Sequence, residues 1–298
     1  MPSQLIAHAG LLGAARLNPG KMSESLPNVA VVVNEVTGNW SLAGHLADRV
    51  GHPSWPGLRA LVTAQAPWLS APQPGRPGLC ASCKGPAARR QYCFTCELHH
   101  QCAGGDLADV VLPVAYALKG GSLARQLWQY KSSNHASEAV GAASALLALL
   151  LVVLRDHGSC LWRAAGITEP THMAVVPTAR GRPGEHPLRG MIAPYLSWPW
   201  ANLTARPDQR QRDLDPRRFS APPIPGSRVL LVDDTWATGA SAQSAAIALR
   251  RAGARSVVTV VIGRHLSLDP AGQRDFGPAA MPFRPESCAV HQPQWVVN

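Results

Sequence analysis

The clearest structural signal in this 298-residue chain is the stretch Val229-Leu-Leu-Val-Asp-Asp-Thr-Trp-Ala-Thr-Gly-Ala-Ser241. Its first four residues are apolar, which is typical of a parallel strand that is buried on both faces. Asp233 and Asp234 follow at the carboxyl end of that strand, the edge where open α/β sheets bind ligands. The sequence therefore predicts a ligand-binding loop at this point.

The residues around this stretch predict a complete βαβ unit. We expect a strand over Arg228–Val232, a loop over Asp233–Gly239, a helix over Ala240–Ala252 that ends at Gly253, and a strand over Ser256–Gly263. Because both strands are continuously apolar, they belong in a parallel sheet. The connection between them is expected to be right-handed.

Further elements are predicted before this unit. The predicted strands are Asn28–Val36, Val110–Leu118 and Met173–Pro177, and the predicted helices are Ser41–Val50, Leu58–Leu69, Ser122–Lys131, 139–154 and Pro187–Leu196. The Pro-rich residues 71–78 predict a linker. The polar, Arg-rich residues 204–218 predict a mobile surface loop, with a nucleic-acid patch as the alternative. The expected division is an N-terminal extension with linker (1–78), a cysteine-containing unit (79–105), an α/β domain (106–266) and a C-terminal tail (267–298).

Composition excludes several classes of protein but does not select an activity. Hydrophobic residues make up 46% of the chain, and Gly with Pro contributes 26 + 27 = 53 residues, which excludes a collagen, a coiled coil and a wholly disordered chain. The net charge is 28 − 18 = +10, and much of the excess is Arg. Arginine suits phosphate groups, whether these belong to a nucleic acid or to a small ligand.

Neither a secretory signal nor a membrane span is expected. The segment 1–20 lacks a basic start, and its apolar residues are interrupted by His8, Gly10 and Gly13. The longest apolar run, 139–154, is sixteen residues long, whereas a membrane span needs about 20 residues. We expect this run to be a buried helix and the protein to be cytoplasmic.

Two CxxC pairs, Cys80-Ala-Ser-Cys83 and Cys93-Phe-Thr-Cys96, predict a metal site. They are separated by nine residues, and each pair can present two thiolates from a short turn to one tetrahedral ion. Four cysteine ligands close the coordination sphere, so a structural Zn²⁺ is expected. The alternatives are two local disulfides or unrelated thiols, and three nearby residues offer substitute ligands: His99, His100 and Cys102. The remaining cysteines, Cys160 and Cys288, are interpreted as buried or incidental residues.

The residues after the carboxylate pair suit a phosphate monoester. Thr235 to Gly239 predict a tight turn into a helix N-terminus, where free backbone N–H groups and the helix dipole favour an anion. The hydroxyls of Thr235, Thr238 and Ser241 add donors. A ribose 5-phosphate would place its phosphate in this turn and its hydroxyls against the carboxylates. The alternative is an ordinary strand end with capping carboxylates.

This thirteen-residue stretch is similar to the phosphoribosyl pyrophosphate (PRPP) motif of the type I phosphoribosyltransferases. Together with the CxxC…CxxC element, the chain resembles the ComF family, which is associated with DNA uptake in competent bacteria. The resemblance covers Cys80 to Gly263 and includes the segments Ala117–Lys131 and Val175–Arg182, the second standing where the family's strand enters its pyrophosphate loop. It implies an amidophosphoribosyltransferase-like α/β fold, a parallel sheet flanked by helices and preceded by a small four-cysteine zinc ribbon.

The resemblance also implies a set of site residues. Asp233 and Asp234 would orient the ribose diol, with Mg²⁺ bridging the pyrophosphate and the hydroxyls. The 5-phosphate would be held by Thr235, Trp236, Ala237, Thr238, Gly239, Ala240 and Ser241, and the pyrophosphate by Thr178, Ala179, Arg180 and Arg182, with Lys131 as an additional candidate. The alternative for the two arginines is a solvated basic loop, and the alternative for the lysine is a favourable helix end.

The chain departs from the family pattern in three places: Trp236 is bulkier and Thr235 more polar than the usual residues, and 181–191 lacks an Arg-Gly-Phe-Asn-Gln run. The expected function is transfer of ribose 5-phosphate from PRPP to a nitrogen acceptor, with release of pyrophosphate. The alternatives are a non-catalytic protein that binds PRPP or single-stranded DNA during DNA uptake, and a zinc-dependent scaffold. Binding to single-stranded DNA should weaken steeply with salt.

Overall fold

The computed structural model describes residues 32–34, 39–41, 55–72, 77–88, 90–178, 186–206, 213–267 and 281–290. The helices are α1 (Trp55–Gln65), α2 (Phe94–Ala103), α3 (Ser122–Ser132), α4 (Ala136–Ala164), α5 (Pro187–Ile192) and α6 (Ala240–Arg251), with short 3₁₀ turns at Ala66–Trp68 and Gly104–Asp106. The strands are β1 (Val32–Asn34), β2 (Asn39–Ser41), β3 (Ser70–Ala71), β4 (Val110–Leu118), β5 (His172–Val175), β6 (Thr204–Ala205), β7 (Phe219–Ser220), β8 (Arg228–Trp236), β9 (Ser256–Leu266) and β10 (Met281–Pro282).

A six-stranded sheet in the order β10-β3-β4-β9-β8-β5 organises the molecule. Strands β4, β9, β8 and β5 are parallel to one another, while β3 and β10 add an antiparallel margin next to β4. The carboxyl ends of the four parallel strands therefore meet at one edge. Two small antiparallel pairs, β1 with β2 and β6 with β7, lie outside this sheet.

The sheet is buried on both faces because alternate residues of its central strands are apolar on both sides. Leu230 and Val232 of β8 join the core formed with α3 and α4, whereas Val229 and Leu231 join the core formed with α6. This alternation follows from the two-residue period of a strand. The prediction of a mostly parallel α/β sheet flanked by helices is confirmed.

Helix α4 is the long apolar helix that the sequence predicts. Among the described ranges it alone is long and apolar enough to cross a membrane, and 67% of its most apolar window is buried inside the protein. It packs against α1 and α3, and Leu146, Leu149 and Leu150 have no exposed surface. These contacts are those of a core helix.

Parts of both terminal regions belong to the same core. Leu58 and Val62 of α1 pack with α4, and β3 pairs with β4. At the other end of the chain, β10 pairs with β3, and Phe283 and Cys288 are buried in the main core. Most of the helix predicted over 41–50 lies outside the described residues, and Ser41 ends β2.

The βαβ unit forms as predicted, with one difference at its loop. Strand β8 continues through Asp233 and Asp234 to Trp236, which is paired with Arg264 of β9. The loop is therefore confined to residues 237–239. The polar residues Asp233, Asp234 and Thr235 predict that the strand ends at Val232. In the structure, hydrogen bonds to β9 satisfy the backbone groups of this segment, and the strand continues.

Candidate functional site

The turn between β8 and α6 brings a strand end and a helix N-terminus together. Gly239 has a φ of +83°, in the left-handed region, and stands at the N-cap of α6. A Cβ at Gly239 would overlap the indole of Trp236, so the turn needs glycine both for its backbone conformation and for space. The first N–H groups of α6 lack intrahelical partners, as in an anion-binding helix N-terminus.

Trp236 is buried beneath this turn, with 1% of its surface exposed. Its side chain belongs to the core cluster that contains Cys80, Cys83 and Cys96. The indole Nε1 is buried and has no hydrogen-bond partner among the described residues. A buried donor without an acceptor costs about 1–3 kcal/mol, and this indole carries such a cost.

Asp234 is held inside the protein by helix α3. Its Oδ2 accepts from the Tyr130 hydroxyl and pairs with Lys131 Nζ, and its side chain is 3% exposed. Burial alone would raise the pKa of Asp234, but the Lys131 ammonium and the Tyr130 hydroxyl offset burial and hold that pKa below its ordinary value. Asp234 is therefore ionised, and its Oδ2 is engaged by both partners.

Helix α3 reaches Asp234 because β9 carries a glycine beneath it. A Cβ at Gly263 would overlap the Leu127 side chain of α3, so a larger residue would displace Leu127 from its position against the sheet. Leu127 and Tyr130 lie one turn apart on the buried face of α3. The close packing at Gly263 thus sets the position of the next turn, which carries Tyr130 and Lys131.

Asp233 has a different environment from its neighbour. Its side chain is half-buried, and its Oδ1 accepts a hydrogen bond of 2.9 Å from the backbone N–H of Asp234. Burial, with a smaller contribution from the negative charge of Asp234, raises the pKa of Asp233 to about 7. Asp233 is thus the carboxylate of the pair that has exposed surface at the sheet edge.

Arg218 is a site residue that the sequence analysis missed. Its side chain is buried, and its Nη1 donates to Ser241 Oγ at 2.9 Å in the first turn of α6. Its Nη2 donates to the carbonyl of Asp213 at 2.7 Å. The prediction of a mobile surface loop is wrong for 213–218, because Asp215 and Arg218 are buried. A pattern of mixed charges gave no sign of this burial.

The predicted pyrophosphate side is described in part. Strand β5 pairs with β8 through Val175 and Val232, and the N–H of Val176 continues the ladder to the Val232 carbonyl at 3.1 Å. Thr178 follows at the same sheet edge, while Ala179, Arg180 and Arg182 lie outside the described residues.

A second residue that the sequence analysis missed lies on this side of the edge. His186 caps α5, where its Nδ1 accepts from the N–H of Leu188 at 3.1 Å. The charge of His186 also lowers the pKa of Asp234, by less than Lys131 and Tyr130 do. Scattered histidines in the sequence gave no signal for this position.

The four cysteines of the two CxxC pairs converge. The Sγ atoms of Cys80, Cys83, Cys93 and Cys96 all lie within 4.8 Å of one another, and Cys83 and Cys93 are 3.8 Å apart. A tetrahedral Zn²⁺ with bonds of about 2.3 Å requires sulfurs about 3.8 Å apart, so the cluster fits zinc. The first pair lies in a turn, as expected, whereas the second pair begins helix α2. No cysteine pair in the described ranges forms a disulfide.

Arg264 connects this cysteine cluster to the turn after β8. Its Nη1 donates to the carbonyls of Trp236 at 3.1 Å, Ala237 at 2.6 Å and His265 at 2.7 Å. The guanidinium packs so closely on Gly85 that a Cβ there would overlap it. Cys80 raises the pKa of Cys83, but hydrogen bonds from Cys93 and Cys96 and the charge of Arg264 lower it to about 6.

Comparison with known proteins adds little to this geometry. No protein-family model matches the chain, and no curated protein is similar enough to match it. One solved structure, described as the allosteric regulatory enzyme of purine biosynthesis, matches 37% of this chain and 25% of its own, with 20% identity and a TM-score of 0.25. The match thus spans about a quarter of that protein's length. A similarity this weak carries no functional argument, so the function has to be inferred from the residues of the chain itself.

Proposed function

We propose that this protein binds PRPP with Mg²⁺ and transfers its ribose 5-phosphate to a nitrogen acceptor, releasing pyrophosphate. The observation that carries the proposal is the arrangement after β8: a half-buried carboxylate, Asp233, at the edge of a parallel sheet, followed by a glycine turn into the N-terminus of α6. The resemblance of this stretch to the PRPP motif, within a ComF-like chain, supports the same proposal.

The 5-phosphate would bind at the N-terminus of α6. Backbone N–H groups of the turn and the Ser241 hydroxyl supply donors, and the Arg218 guanidinium beside Ser241 supplies positive charge. Binding energy from this remote phosphate would position the anomeric carbon at the sheet edge.

The two carboxylates would have separate tasks. Asp233 would accept from a ribose hydroxyl and provide an oxygen ligand for Mg²⁺, which commonly binds one or two carboxylates together with substrate phosphates. Asp234, held by Lys131 and Tyr130, would fix the end of β8 and keep Asp233 in place. Mg²⁺, when bound, would neutralise charge on the pyrophosphate.

The reaction would then need little from the protein besides positioning. The C1–O bond breaks with its electron pair moving to pyrophosphate, and a nitrogen lone pair forms the new bond at C1, after which the nitrogen loses a proton to solvent. Thr178 would face the pyrophosphate, with Arg180 and Arg182 as proposed donors. The four-cysteine unit (79–105) would hold a structural Zn²⁺ beside the transferase domain (106–266). A cytoplasmic location would keep those thiols reduced.

Calorimetric titration with PRPP and Mg²⁺ tests the binding step. We expect Asp233→Asn to bind PRPP much more weakly than wild type, because it removes the accessible carboxylate while leaving the Asp234 contacts intact. Asp106→Asn, which changes an exposed acid away from the sheet edge, is the matched control and should bind like wild type. Failure of the folded, zinc-loaded wild type to bind PRPP would refute the proposal.

A PRPP-binding protein without transfer is the second candidate, and one observation favours it. Because Lys131 and Tyr130 both engage Oδ2 of Asp234, that oxygen does not meet the ribose diol, and the pair offers the diol fewer acceptors. Pyrophosphate release in the presence of each nucleobase and of ammonia distinguishes the two: binding without release supports the second candidate. Single-stranded DNA binding and a role in DNA uptake stay predictions, which a salt titration of DNA affinity would test.

A further inference from the structure

A second group of metal-ligating side chains lies far in sequence from the candidate site. His157 and Cys160 stand one turn apart on α4, and Cys288 comes from the C-terminal segment 283–290. One ligand atom from each residue lies within 4.8 Å of the other two. His157 and Cys288 are buried and Cys160 is half-buried. The sequence alone favours buried or incidental roles for these two cysteines, which are separated by 127 residues.

The hydrogen bonding of His157 prepares it to act as a ligand. Its Nε2 lies 2.7 Å from the carbonyl oxygen of Pro285, which can only accept. Nε2 therefore carries a hydrogen, which in the neutral imidazole leaves the lone pair on Nδ1. Histidines that bind metals commonly donate their other N–H to a backbone carbonyl in this way, which fixes the tautomer and the ring orientation.

We propose that His157, Cys160 and Cys288 form a second metal site, which takes a thiophilic divalent ion such as Zn²⁺. Two thiolates and an imidazole are ligands that zinc prefers, and binding would release the two thiol protons. Metal–sulfur bonds of about 2.3 Å and metal–nitrogen bonds of about 2.0 Å bring such ligand atoms to about 3.5–3.8 Å from one another, which small side-chain rotations achieve from the observed spacing. Water completes the tetrahedron at the half-buried Cys160.

The proposed ion would clamp the C-terminal segment to the longest helix of the core. That segment is otherwise held by β10, by the Phe283 N–H bond of 3.0 Å to the Leu69 carbonyl, and by burial of Cys288 and Ala289. A metal bridge would add a fixed link between α4 and residues 283–290. The site is independent of the proposed transferase function, so either proposal can fail alone.

Metal content per chain tests the proposal in protein purified with zinc under reducing conditions. We expect Cys160→Ser and Cys288→Ser to hold one zinc ion fewer than wild type. The matched control is Cys102→Ser, which alters an exposed cysteine on α2 outside both clusters and should keep the full content. With Co²⁺ as the probe, Cys160→Ser should also lose roughly a third of the thiolate-to-cobalt absorbance, because two of six thiolate bonds disappear with the site.

His157→Gln separates a metal site from a disulfide between the two cysteines. The variant keeps both sulfurs and should hold one zinc ion fewer than wild type. It replaces the serine variants where those do not fold. Equal metal content in wild type, His157→Gln and Cys102→Ser overturns the proposal. A Cys160–Cys288 disulfide found by peptide mass mapping of protein prepared without reductant, with no extra metal in the reduced protein, overturns it as well.

Discussion

Two adjacent carboxylates, Asp233 and Asp234, differ because only one of them is occupied by a cation and a hydroxyl. Asp234 is buried against Lys131 and Tyr130, which keep it ionised, whereas burial raises the pKa of Asp233 to about 7. Adjacent residues in a strand point to opposite faces, so one contacts α3 while the other meets the ligand edge. We therefore assign a positioning role to Asp234 and a ligand-binding role to Asp233.

This difference predicts the pH dependence of PRPP binding. Asp233 with a pKa of about 7 is about one-tenth ionised at pH 6 and nine-tenths ionised at pH 8, so affinity for Mg²⁺–PRPP should rise about tenfold over that range. Calorimetry at pH 6, 7 and 8 measures it. Titration of the ligand's own phosphate, with a second pKa near 6, affects every variant alike. Asp233→Asn should therefore retain only that smaller dependence, and an unchanged slope would contradict the assignment.

Stability should depend on Asp233 in the opposite direction. Because the folded pKa lies above the unfolded value of 3.8, the folded state binds the extra proton, and stability is lost as pH rises through 7. Asp233→Asn should therefore raise the free energy of unfolding at pH 8, by about 1–3 kcal/mol, and change it little at pH 4. Urea denaturation at the two pH values provides the comparison.

Removing the partner of Asp234 should destabilise the protein. Lys131→Met leaves a buried carboxylate without its cation, which should lower the free energy of unfolding by about 3 kcal/mol at pH 7. Adding Asp234→Asn should recover much of that loss, because the uncompensated charge is gone. Lys119→Met, at an exposed position after β4, is the control and should change stability by less than about 0.5 kcal/mol. Equal losses in Lys131→Met and Lys119→Met would show that the ion pair has no energetic role.

At the scale of elements, hydrophobic periodicity predicted the strands and helices around the site and missed what depends on distant contacts. The apolar runs of β4, β8 and β9 and the stripe of α3 were sufficient to place those elements. The extension of β8 to Trp236 depends on pairing with Arg264, and the burial of Arg218 depends on Ser241. Arg264 and Ser241 are both more than 20 residues from the positions they contact. A polar segment whose partners are that distant in sequence has the local pattern of a loop.

The turn between β8 and α6 offers a test with a matched glycine. Gly239 and Gly120 have φ values of +83° and +81°, but only a Cβ at Gly239 meets another side chain, the indole of Trp236. Gly120→Ala should cost about 1 kcal/mol for the left-handed backbone, and Gly239→Ala about 2–4 kcal/mol because overlap with the indole adds to it. Urea denaturation measures both. Trp236→Leu should recover part of the second loss. Equal costs would mean that the indole moves away freely.

At the scale of the whole molecule, Arg264 joins the four-cysteine cluster to the proposed phosphate-binding turn. It contacts Gly85 on one side and holds the Trp236 and Ala237 carbonyls on the other, so removing zinc should disturb the turn. We expect chelation to weaken PRPP binding about tenfold while helix content, followed by circular dichroism, is largely retained. Arg264→Met should weaken binding before chelation and respond less to it, because the connecting residue is already gone. Arg255→Met, which changes an exposed arginine just before β9, should behave like wild type in both steps. If chelation weakens binding equally in Arg264→Met and wild type, the cysteine cluster affects the turn through residues other than Arg264. Trp236 is then the next residue to change, because it packs in the same core cluster as three of the cysteines.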